Sequence, residues 1–338
     1  MRIVSVLCVL LGAAVAAGET PPPNGNSALA RLAASMQPGD WKELKTEGLT
    51  KDLTVTSKGY QIVTWGDDGA WDSKRGQFLF MGFRQELKFI NYSEQTNTWT
   101  LIPSYESKVV FGHPYGTNAF NEEGGFFYNL ENGTNQVHAY DVKKHEWSNL
   151  PPCPFPCQGL GLAIEYFPDM KSLIFLYQRS AYKFDTVENK WSQLGKDLPI
   201  GNAHVLMHYN ARYKCMYMLG GNDRDSAVVV LDAAGKIIAK RDAPIKIGMN
   251  VPYAAALPDP ATGDVIVLSA KDDFYAWDPE ADTWTRIGNS TKDTPFKTIG
   301  AIGAAIPEYN VILWADLYGS ERHVWLYKHK KSVQQSIK

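Results

Sequence analysis

The chain has 338 residues, of which 44% are hydrophobic and 12% aromatic, a composition that supports at least one large buried core and excludes a mostly disordered chain. Its 34 basic and 36 acidic residues nearly balance. Because no basic patch and no long acidic run is present, nucleic acid is not a predicted partner.

The first 17 residues have the pattern of a secretory signal peptide. Arg2 precedes an apolar run from Ile3 to Leu11, and small residues follow up to Gly18. This order is typical of segments that are removed on export. The run is short for a membrane span, and no other stretch approaches the required length. We therefore expect a secreted, extracellular protein, or a periplasmic one in a bacterial host, with no membrane span after cleavage.

Three further segments follow the signal. Residues 18–36 are predicted to be a linker with one short helix near Ser27 to Met36. Residues 37–328 consist of short apolar runs separated by Gly, Pro, Asn and Asp, which is typical of β-strands and turns. Residues 329–338 are predicted to be a polar tail.

A motif recurs through the strand-rich region. An Asp ends an apolar stretch, and a Trp follows six residues later, before Ser or Thr, a polar residue and Leu or Ile. Three copies have both residues, namely Asp141 with Trp147, Asp185 with Trp191, and Asp278 with Trp284. A fourth copy has Ser93 in the Asp place before Trp99, and a degenerate fifth copy has Asp232 with Ile238 in the Trp place. Successive copies are 44 to 48 residues apart, the length of a four-stranded propeller blade.

The repeat predicts an all-β fold, a six-bladed β-propeller. The last unit supplies three strands, and Trp41 to Leu44 has the features of a fourth strand without strands before it. A propeller closed by this N-terminal outer strand leaves no open sheet edge. Five or seven blades are the nearest alternatives.

The chain resembles kelch-type propellers, which also form the central domain of galactose oxidases. The resemblance covers about residues 37–328, and besides the Asp–Trp pairs it is carried by Tyr213, Met216, Tyr217, Leu219, Gly220, Gly221 and Asp232. It implies a propeller fold. Copper–radical oxidation, which the galactose oxidases add, is not predicted because no Cys stands beside a plausible ligand Tyr.

The strand plan separates two faces of the propeller. The turns between first and second strands and between third and fourth strands share one face, here called the turn face. We expect the repeated Asp to cap its own turn there and the Trp to pack between blades. The opposite loop face carries the second-to-third-strand loops and the connections between blades, and we expect a ligand site at its channel mouth.

Candidate site residues lie at the loop face. Tyr115, His204 and Tyr253 occupy equivalent positions at the start of inner strands and are the predicted catalytic residues of an enzyme. Further predicted ligand-binding residues are His113, His208, Arg84, Arg179, Arg224, Asn250, Lys271 and Arg322. Arg binds carboxylates bidentately, Tyr offers a ring and a hydroxyl, and His exchanges protons near neutral pH, so this mixture suits anionic sugars.

Three functions are compatible with these residues. The first is a secreted propeller that binds a glycan or a protein on its loop face. The second is an extracellular polysaccharide lyase with Tyr or His as acid and base and Arg neutralising a uronate. The third is a structural protein–protein interaction module. No cofactor and no metal site is predicted. The loop face also offers carboxylates for hydrolysis, although no pair is singled out among Asp67, Asp68, Asp223, Asp272 and Glu321.

Covalent features are also indicated. Cys153 and Cys157 form either a disulfide in an oxidising compartment or two free thiols on a stiff loop. Asn91, Asn132 and Asn289 begin sequons that would carry glycans only in a eukaryotic host.

Overall fold

A computed structural model describes residues 25–107, 112–131, 134–154, 162–248, 254–269, 272–296 and 300–330. They form six four-stranded antiparallel sheets, the blades of a β-propeller. The predicted fold class and blade count are therefore confirmed. The predicted signal peptide, linker residues 18–24 and tail residues 331–338 lie outside the described residues. No helix within the described ranges is long and apolar enough to cross a membrane.

The first three blades follow one another along the chain. Blade one consists of β2 (Ala70–Asp72), β3 (Gln77–Phe83), β4 (Leu87–Ser93) and β5 (Thr98–Ile102). Blade two consists of β6 (Asn118–Asn121), β7 (Phe126–Leu130), β8 (Val137–Asp141) and β9 (Glu146–Asn149). Blade three consists of β10 (Leu162–Phe167), β11 (Ser172–Tyr177), β12 (Ser180–Asp185) and β13 (Lys190–Gly195).

The remaining blades complete the ring. Blade four consists of β14 (Leu206–Asn210), β15 (Cys215–Leu219), β16 (Val228–Asp232) and β17 (Ile237–Ala239). Blade five consists of β18 (Ala255–Pro258), β19 (Val265–Ser269), β20 (Asp273–Asp278) and β21 (Thr283–Gly288). Blade six consists of β22 (Ala301–Ile306), β23 (Val311–Asp316), β24 (His323–Tyr327) and β1 (Trp41–Glu43).

The predicted closing strand is present in blade six. Trp41 lies opposite Tyr327, and Glu43 lies opposite Trp325, in an antiparallel pairing of β1 with β24. The chain then passes to blade one, where the N–H of Trp99 donates to Glu47 O at 2.9 Å. The closing segment thus joins the outer edges of blades six and one, because its backbone hydrogen bonds reach both.

Two short helices flank this segment. α1 (Ala28–Ala34) lies within the stretch for which the sequence indicates a helix, and α2 (Lys51–Thr54) lies in the long connection before blade one. Ser27 caps α1 by accepting the Ala30 N–H at 2.9 Å. Leu29 and Ala33 of α1 are buried with side chains of blades six and one. The helix therefore packs at the junction that closes the ring.

The repeated Asp residues cap their own turns, as predicted. Asp141 Oδ1 accepts the N–H groups of Lys143 and Lys144 at 2.9 and 3.1 Å, and Asp185 and Asp278 make the equivalent pairs of bonds. Four residues after Asp141, Asp185 and Asp278 stands a side chain with left-handed backbone, His145 at φ 59° in the copy that begins at Asp141. Asn and Asp fill this position in the other copies because they tolerate that conformation better than most residues.

The repeated Trp residues link neighbouring blades. Trp147 Nε1 donates to the carbonyl of Pro103, which follows blade one, at 2.9 Å. Trp191 Nε1 likewise donates to Pro151 O, after blade two, at 2.8 Å. Trp147 and Trp191 therefore tie their own outer hairpins to the end of the preceding blade, which confirms their structural role.

The hydrophobic core is divided among the six junctions between blades. One cluster of buried side chains fills each junction, from blades one and two around to blades six and one. The innermost strands contact their neighbours around the whole ring, including β22 with β2. The first strands thus surround a central channel, and side chains that point inward from them meet side chains of other blades.

Candidate functional site

Four rings lie together at the loop-face mouth of the channel, and we call Trp65, His113, Tyr115 and His204 the mouth cluster. Trp65 stacks on His113 with ring centroids 4.9 Å apart and planes inclined by 16°. His204 lies 5.0 Å from the Tyr115 ring and 6.0 Å from the His113 ring. Segments leading into three different blades therefore build one cluster of aromatic and imidazole rings, in which Trp65 and His113 are partly exposed and Tyr115 and His204 are buried.

Hydrogen bonds indicate which ring nitrogen of His204 carries the proton. Its Nδ1 lies 2.7 Å from Asn222 Oδ1, and because an amide oxygen only accepts, Nδ1 carries the proton. Nε2 then bears the lone pair, and no hydrogen-bond partner for it lies in the described part of the chain. The backbone N–H of His204 also donates to Tyr115 Oη at 3.2 Å.

Both imidazoles of the mouth cluster are neutral at neutral pH. Burial, followed by the charges of Arg84 and His204, lowers the pKa of His113 to about 4. Burial also lowers the pKa of His204, although its bond to Asn222 opposes the shift. A neutral imidazole accepts a proton or a hydrogen bond, so His204 Nε2 can serve as an acceptor.

Trp65 and His204 both have left-handed backbones. Their φ angles are 69° and 59°, which is uncommon for side chains of this size. Such conformations cost on the order of 1–3 kcal/mol each and concentrate at functional sites. At His204 the loop is fixed by Asn222, whose N–H donates to Ala203 O at 2.9 Å.

A second group of polar side chains lies deeper, and we call Asp67, Asp68, Glu165 and His208 the channel cluster. Glu165 lies in β10 and His208 in β14, while the two Asp residues directly precede β2. His208 Nδ1 lies 3.8 Å from both Asp68 Oδ2 and Glu165 Oε2, and Nε2 lies 4.0 Å from Asp67 Oδ2. Asp67, Asp68 and His208 are 1, 3 and 3% exposed.

Burial suppresses charge in the channel cluster. It raises the pKa of Asp67 to about 6 and that of Glu165 to about 8. Burial and then the charges of Asp67 and Glu165 raise the pKa of Asp68 well above its usual range. Burial lowers the pKa of His208 to about 3. Because the separations also exceed hydrogen-bond length, this arrangement is not an ion pair of His208 with the carboxylates.

A cavity of about 480 Å³ leads to the channel cluster from the turn face. Its rim is formed by turns between first and second strands, including Ser73, Pro168 and Arg212, and its inner wall contains Asp68, Glu165 and His208. The cavity thus opens on the face opposite to the one for which the sequence predicts a ligand site. The two faces therefore offer two separate entrances to the channel.

The structure brings several predicted residues together at the mouth. Tyr115, His204 and His113 are members of the mouth cluster. Arg84 lies beside His113 and donates from Nη1 to Gly112 O at 3.0 Å. Their catalytic or binding roles stay predictions, but their convergence is the arrangement that such roles require.

Other predicted residues lie elsewhere. His208 belongs to the channel cluster rather than to the mouth. Arg179 pairs with Asp223 on the loop face, and Arg224 is exposed in the loop between β15 and β16. Arg322 Nε donates to Thr54 Oγ1 at 2.5 Å, which ties the loop before β24 to α2.

Some predictions lie outside the described residues. These are the roles of Tyr253, Asn250 and Lys271, the sequon at Asn132, and the pairing partner Cys157. Cys153 is buried, and its disulfide stays a prediction. Asn91 lies within β4 and Asn289 directly follows β21, and their glycosylation also stays a prediction.

Two residues of these clusters escape the sequence analysis. Trp65 precedes a strand of only three residues, so no repeat position marks it. Glu165 stands within the apolar stretch Leu-Ala-Ile-Glu-Tyr-Phe of β10. A carboxylate inside an otherwise apolar inner strand is the signal that could have identified it, since such a group needs a partner.

The fold and its two clusters define a six-bladed β-propeller with a ring-lined mouth and an acidic, histidine-containing channel. Comparison of the chain with protein-family profiles and with curated proteins finds no match.

Proposed function

We propose that this protein is an exported binding propeller that takes a carbohydrate at the mouth cluster. A propeller fold suits the binding of a ligand or a protein. The amino-terminal apolar run supports export. The kelch-like repeat is consistent with a binding role, because the blades it forms present their connecting loops at the channel mouth.

The observation that carries the proposal is the partly exposed stack of Trp65 and His113, which lies against the buried rings of Tyr115 and His204. Flat rings bind the apolar faces of sugar rings, and nearby polar atoms bind their hydroxyl groups. His204 Nε2 supplies an acceptor, and Arg84 supplies a positive charge beside His113. Rings combined with a few convergent polar groups are the usual composition of a small-ligand site.

Eliminative cleavage of a uronate polysaccharide is the second candidate. It is favoured by a neutral His204, whose Nε2 is an acceptor and whose backbone N–H donates to the Tyr115 hydroxyl, and by Arg84, which is near enough to lower the pKa of His113. In such a reaction a base removes the proton at C5, a guanidinium neutralises the uronate carboxylate, and an acid protonates the leaving oxygen. Both functions thus use the same surface.

One experiment separates these functions. Purified protein is offered neutral and uronate-containing polysaccharides, and binding is followed by calorimetry while unsaturated uronate is followed by ultraviolet absorbance. We expect Trp65→Ala and His204→Ala to weaken binding at least about tenfold, because hot-spot truncations typically cost 1.4 kcal/mol or more. His323→Ala is the matched control, since this imidazole lies on β24 in the outer part of blade six.

The outcomes are distinct. Binding without an absorbance change, lost in Trp65→Ala and kept in His323→Ala, supports the binding propeller. Absorbance that disappears in His204→Ala supports the lyase. If no polysaccharide binds to the wild-type protein, the carbohydrate proposal is wrong and the structural interaction module is left.

A further inference from the structure

The channel cluster takes no part in the proposed carbohydrate site, yet it contains an unusual concentration of buried polar groups. Three carboxyl groups and one imidazole come from segments of blades one, three and four. Within the described residues, His208 Nε2 has no hydrogen-bond partner, while the carboxyl groups of Asp67 and Asp68 interact through a hydrogen bond with each other. Leaving a buried polar atom without a partner costs about 1–3 kcal/mol, so this arrangement calls for a further component.

One side of His208 has the geometry of a metal-binding site. Asp68, Glu165 and His208 each offer one ligand atom, and these atoms lie within 4.8 Å of one another. Ligand atoms about 2.1 Å from a tetrahedral cation stand roughly 3.4 Å apart. The two separations of 3.8 Å from His208 Nδ1 therefore need to shorten by only a few tenths of an ångström.

The other side of His208 faces a carboxylate, the type of group to which metal-binding imidazoles commonly donate. Asp67 Oδ2 lies 4.0 Å from Nε2, and Asp67 itself is held through Oδ1, which accepts the Gly116 N–H at 2.9 Å. A carboxylate behind the imidazole favours the proton on Nε2 and leaves the Nδ1 lone pair for the cation. Asp67 is thus a positioning residue, and Asp68, Glu165 and His208 are the ligands.

Charge and access agree with this assignment. A doubly charged cation balances the two carboxylates of Asp68 and Glu165, whose burial in ionised form is otherwise unfavourable. The cavity on the turn face reaches all three ligands. A cation can therefore enter from solvent, and coordination positions facing the cavity remain for water.

We propose that Asp68, Glu165 and His208 form a binding site for one divalent first-row transition cation, with zinc or manganese as the cations to test first. An imidazole favours transition metals, and carboxylates extend the choice to manganese. Calcium is disfavoured, because it takes six to eight oxygen ligands and rarely a nitrogen.

The test uses the full chain without a histidine tag, stripped with a chelator and then titrated with zinc, manganese, calcium or magnesium chloride. We expect one equivalent of zinc or manganese per chain by calorimetry and by elemental analysis after dialysis. The bound cation should raise the melting temperature by at least about 3 °C at saturating concentration. Calcium and magnesium should have much smaller effects.

Variants locate the site. Glu165→Gln and His208→Gln keep the side-chain volume roughly constant and should weaken binding at least about 100-fold, while Asp67→Asn should weaken it about tenfold. His138→Gln is the matched control, because His138 is also buried and has one carboxylate, Glu131, at 3.6 Å. Its affinity for the cation should equal that of the wild type.

The titration of the wild-type protein tests the proposed cation site even if a variant fails to fold. Stoichiometry far below one equivalent for zinc and manganese, with no change in melting temperature, overturns the proposal. Binding that survives in both folded ligand variants also overturns it. Neither outcome bears on the carbohydrate proposal, which is tested at the other end of the channel.

Discussion

The two ends of the central channel are built from the same six inner strands, yet they have different chemistry. The mouth cluster is aromatic, and its His204 is hydrogen-bonded to Asn222. The channel cluster is acidic, and its His208 lies among carboxyl groups at 3.8 to 4.0 Å. His204 and His208 are only four positions apart along the chain.

This difference shows that two chemical environments can lie only four residues apart, one in a connection between blades and the other in the inner strand that follows it. His204 stands in the connection before β14, whereas His208 stands inside β14. Backbone geometry decides the neighbours of each: the left-handed turn at His204 directs it to loops, and the extended strand places His208 in the channel. The same residue type is therefore available for two separate tasks.

The largest expected effect concerns the glycines that support each face. Gly221, on the loop face, has φ 106°, and an added Cβ would lie 2.6 Å from Gly201 Cα and 2.9 Å from Ala203 O. Because these are backbone atoms that cannot move aside, Gly221→Ala should lower the free energy of unfolding by about 3–5 kcal/mol. Denaturant titration measures the loss.

Gly263, on the turn face, is the matched control. Its φ is 80°, and an added Cβ would meet side-chain atoms of Tyr213 and Arg212 at 2.6 and 2.9 Å. Since the Arg212 side chain is flexible and the Tyr213 ring can shift, Gly263→Ala should cost about 1–3 kcal/mol. A larger loss of stability for Gly263→Ala than for Gly221→Ala would contradict the expectation that a clash with backbone atoms costs more than a clash with movable side chains.

A smaller effect is expected from pH at the mouth. The folded protein keeps His113 neutral down to about pH 4, whereas an unfolded His takes up a proton near pH 6.5. Between these values the unfolded state binds more protons, so stability falls as the pH falls from 6.5 towards 4. His113→Gln should reduce this fall by on the order of 1–2 kcal/mol.

The measurement for His113 is the midpoint of chemical unfolding at pH 7, 5.5 and 4.5 for both proteins. The difference in stability between the variant and the wild type at pH 7 is the baseline, because His113 is mostly neutral there in both the folded and the unfolded state. An acid loss of stability that is the same in both proteins would show that His113 is not shielded in the mouth.

The smallest effect is expected at an exposed histidine outside the channel. The hydrogen bond from His323 to Glu43, at 2.7 Å, raises the pKa of His323. Its stabilisation is fully present below about pH 6.5 and is lost as the pH rises through the raised pKa. The sign is thus opposite to that of His113, and the size is limited by exposure to solvent.

Melting temperatures at pH 5.5 and 8.5 test this prediction. The wild type should lose about 1 °C more than His323→Gln on going to the higher pH. A loss that is larger in His323→Gln would reverse the assignment. Because the pair joins β24 to β1, the experiment also measures how much a surface contact adds to the closing strand.

The blade count was predictable because it depends on local sequence. Most outer hairpins have an Asp that caps the turn, a residue that tolerates a left-handed backbone four positions later, and a Trp two positions after that. These requirements fall within about seven residues and recur, so spacing alone reveals them. Trp41 was recognisable as the missing fourth-strand residue for the same reason.

The clusters were predictable only in part. Tyr115 and His204 stand at equivalent positions of two repeats, so their meeting at the mouth follows from register. The ligands of the channel cluster, at positions 68, 165 and 208, are separated by 97 and 43 residues. Glu165 and His208 occupy equivalent inner-strand positions, opposite Ile174 and Tyr217, whereas Asp68 precedes its strand and has no equivalent among them. Their proximity depends on which inner-strand side chains point into the channel, and that is settled by packing of the whole ring.

The pairing of β1 with β24 has a consequence for the order of events during synthesis. Trp41 and Tyr327 are partners in one sheet, so the fourth strand of blade six is made before every other strand of the propeller and its neighbour after all of them. Until β24 has been synthesised, the Trp41 segment has no sheet to join, and blades six and one are not yet held together by it. Contacts of such long sequence separation are entropically costly to form, and the nascent chain must therefore keep its earliest strand unpaired until nearly the whole propeller exists.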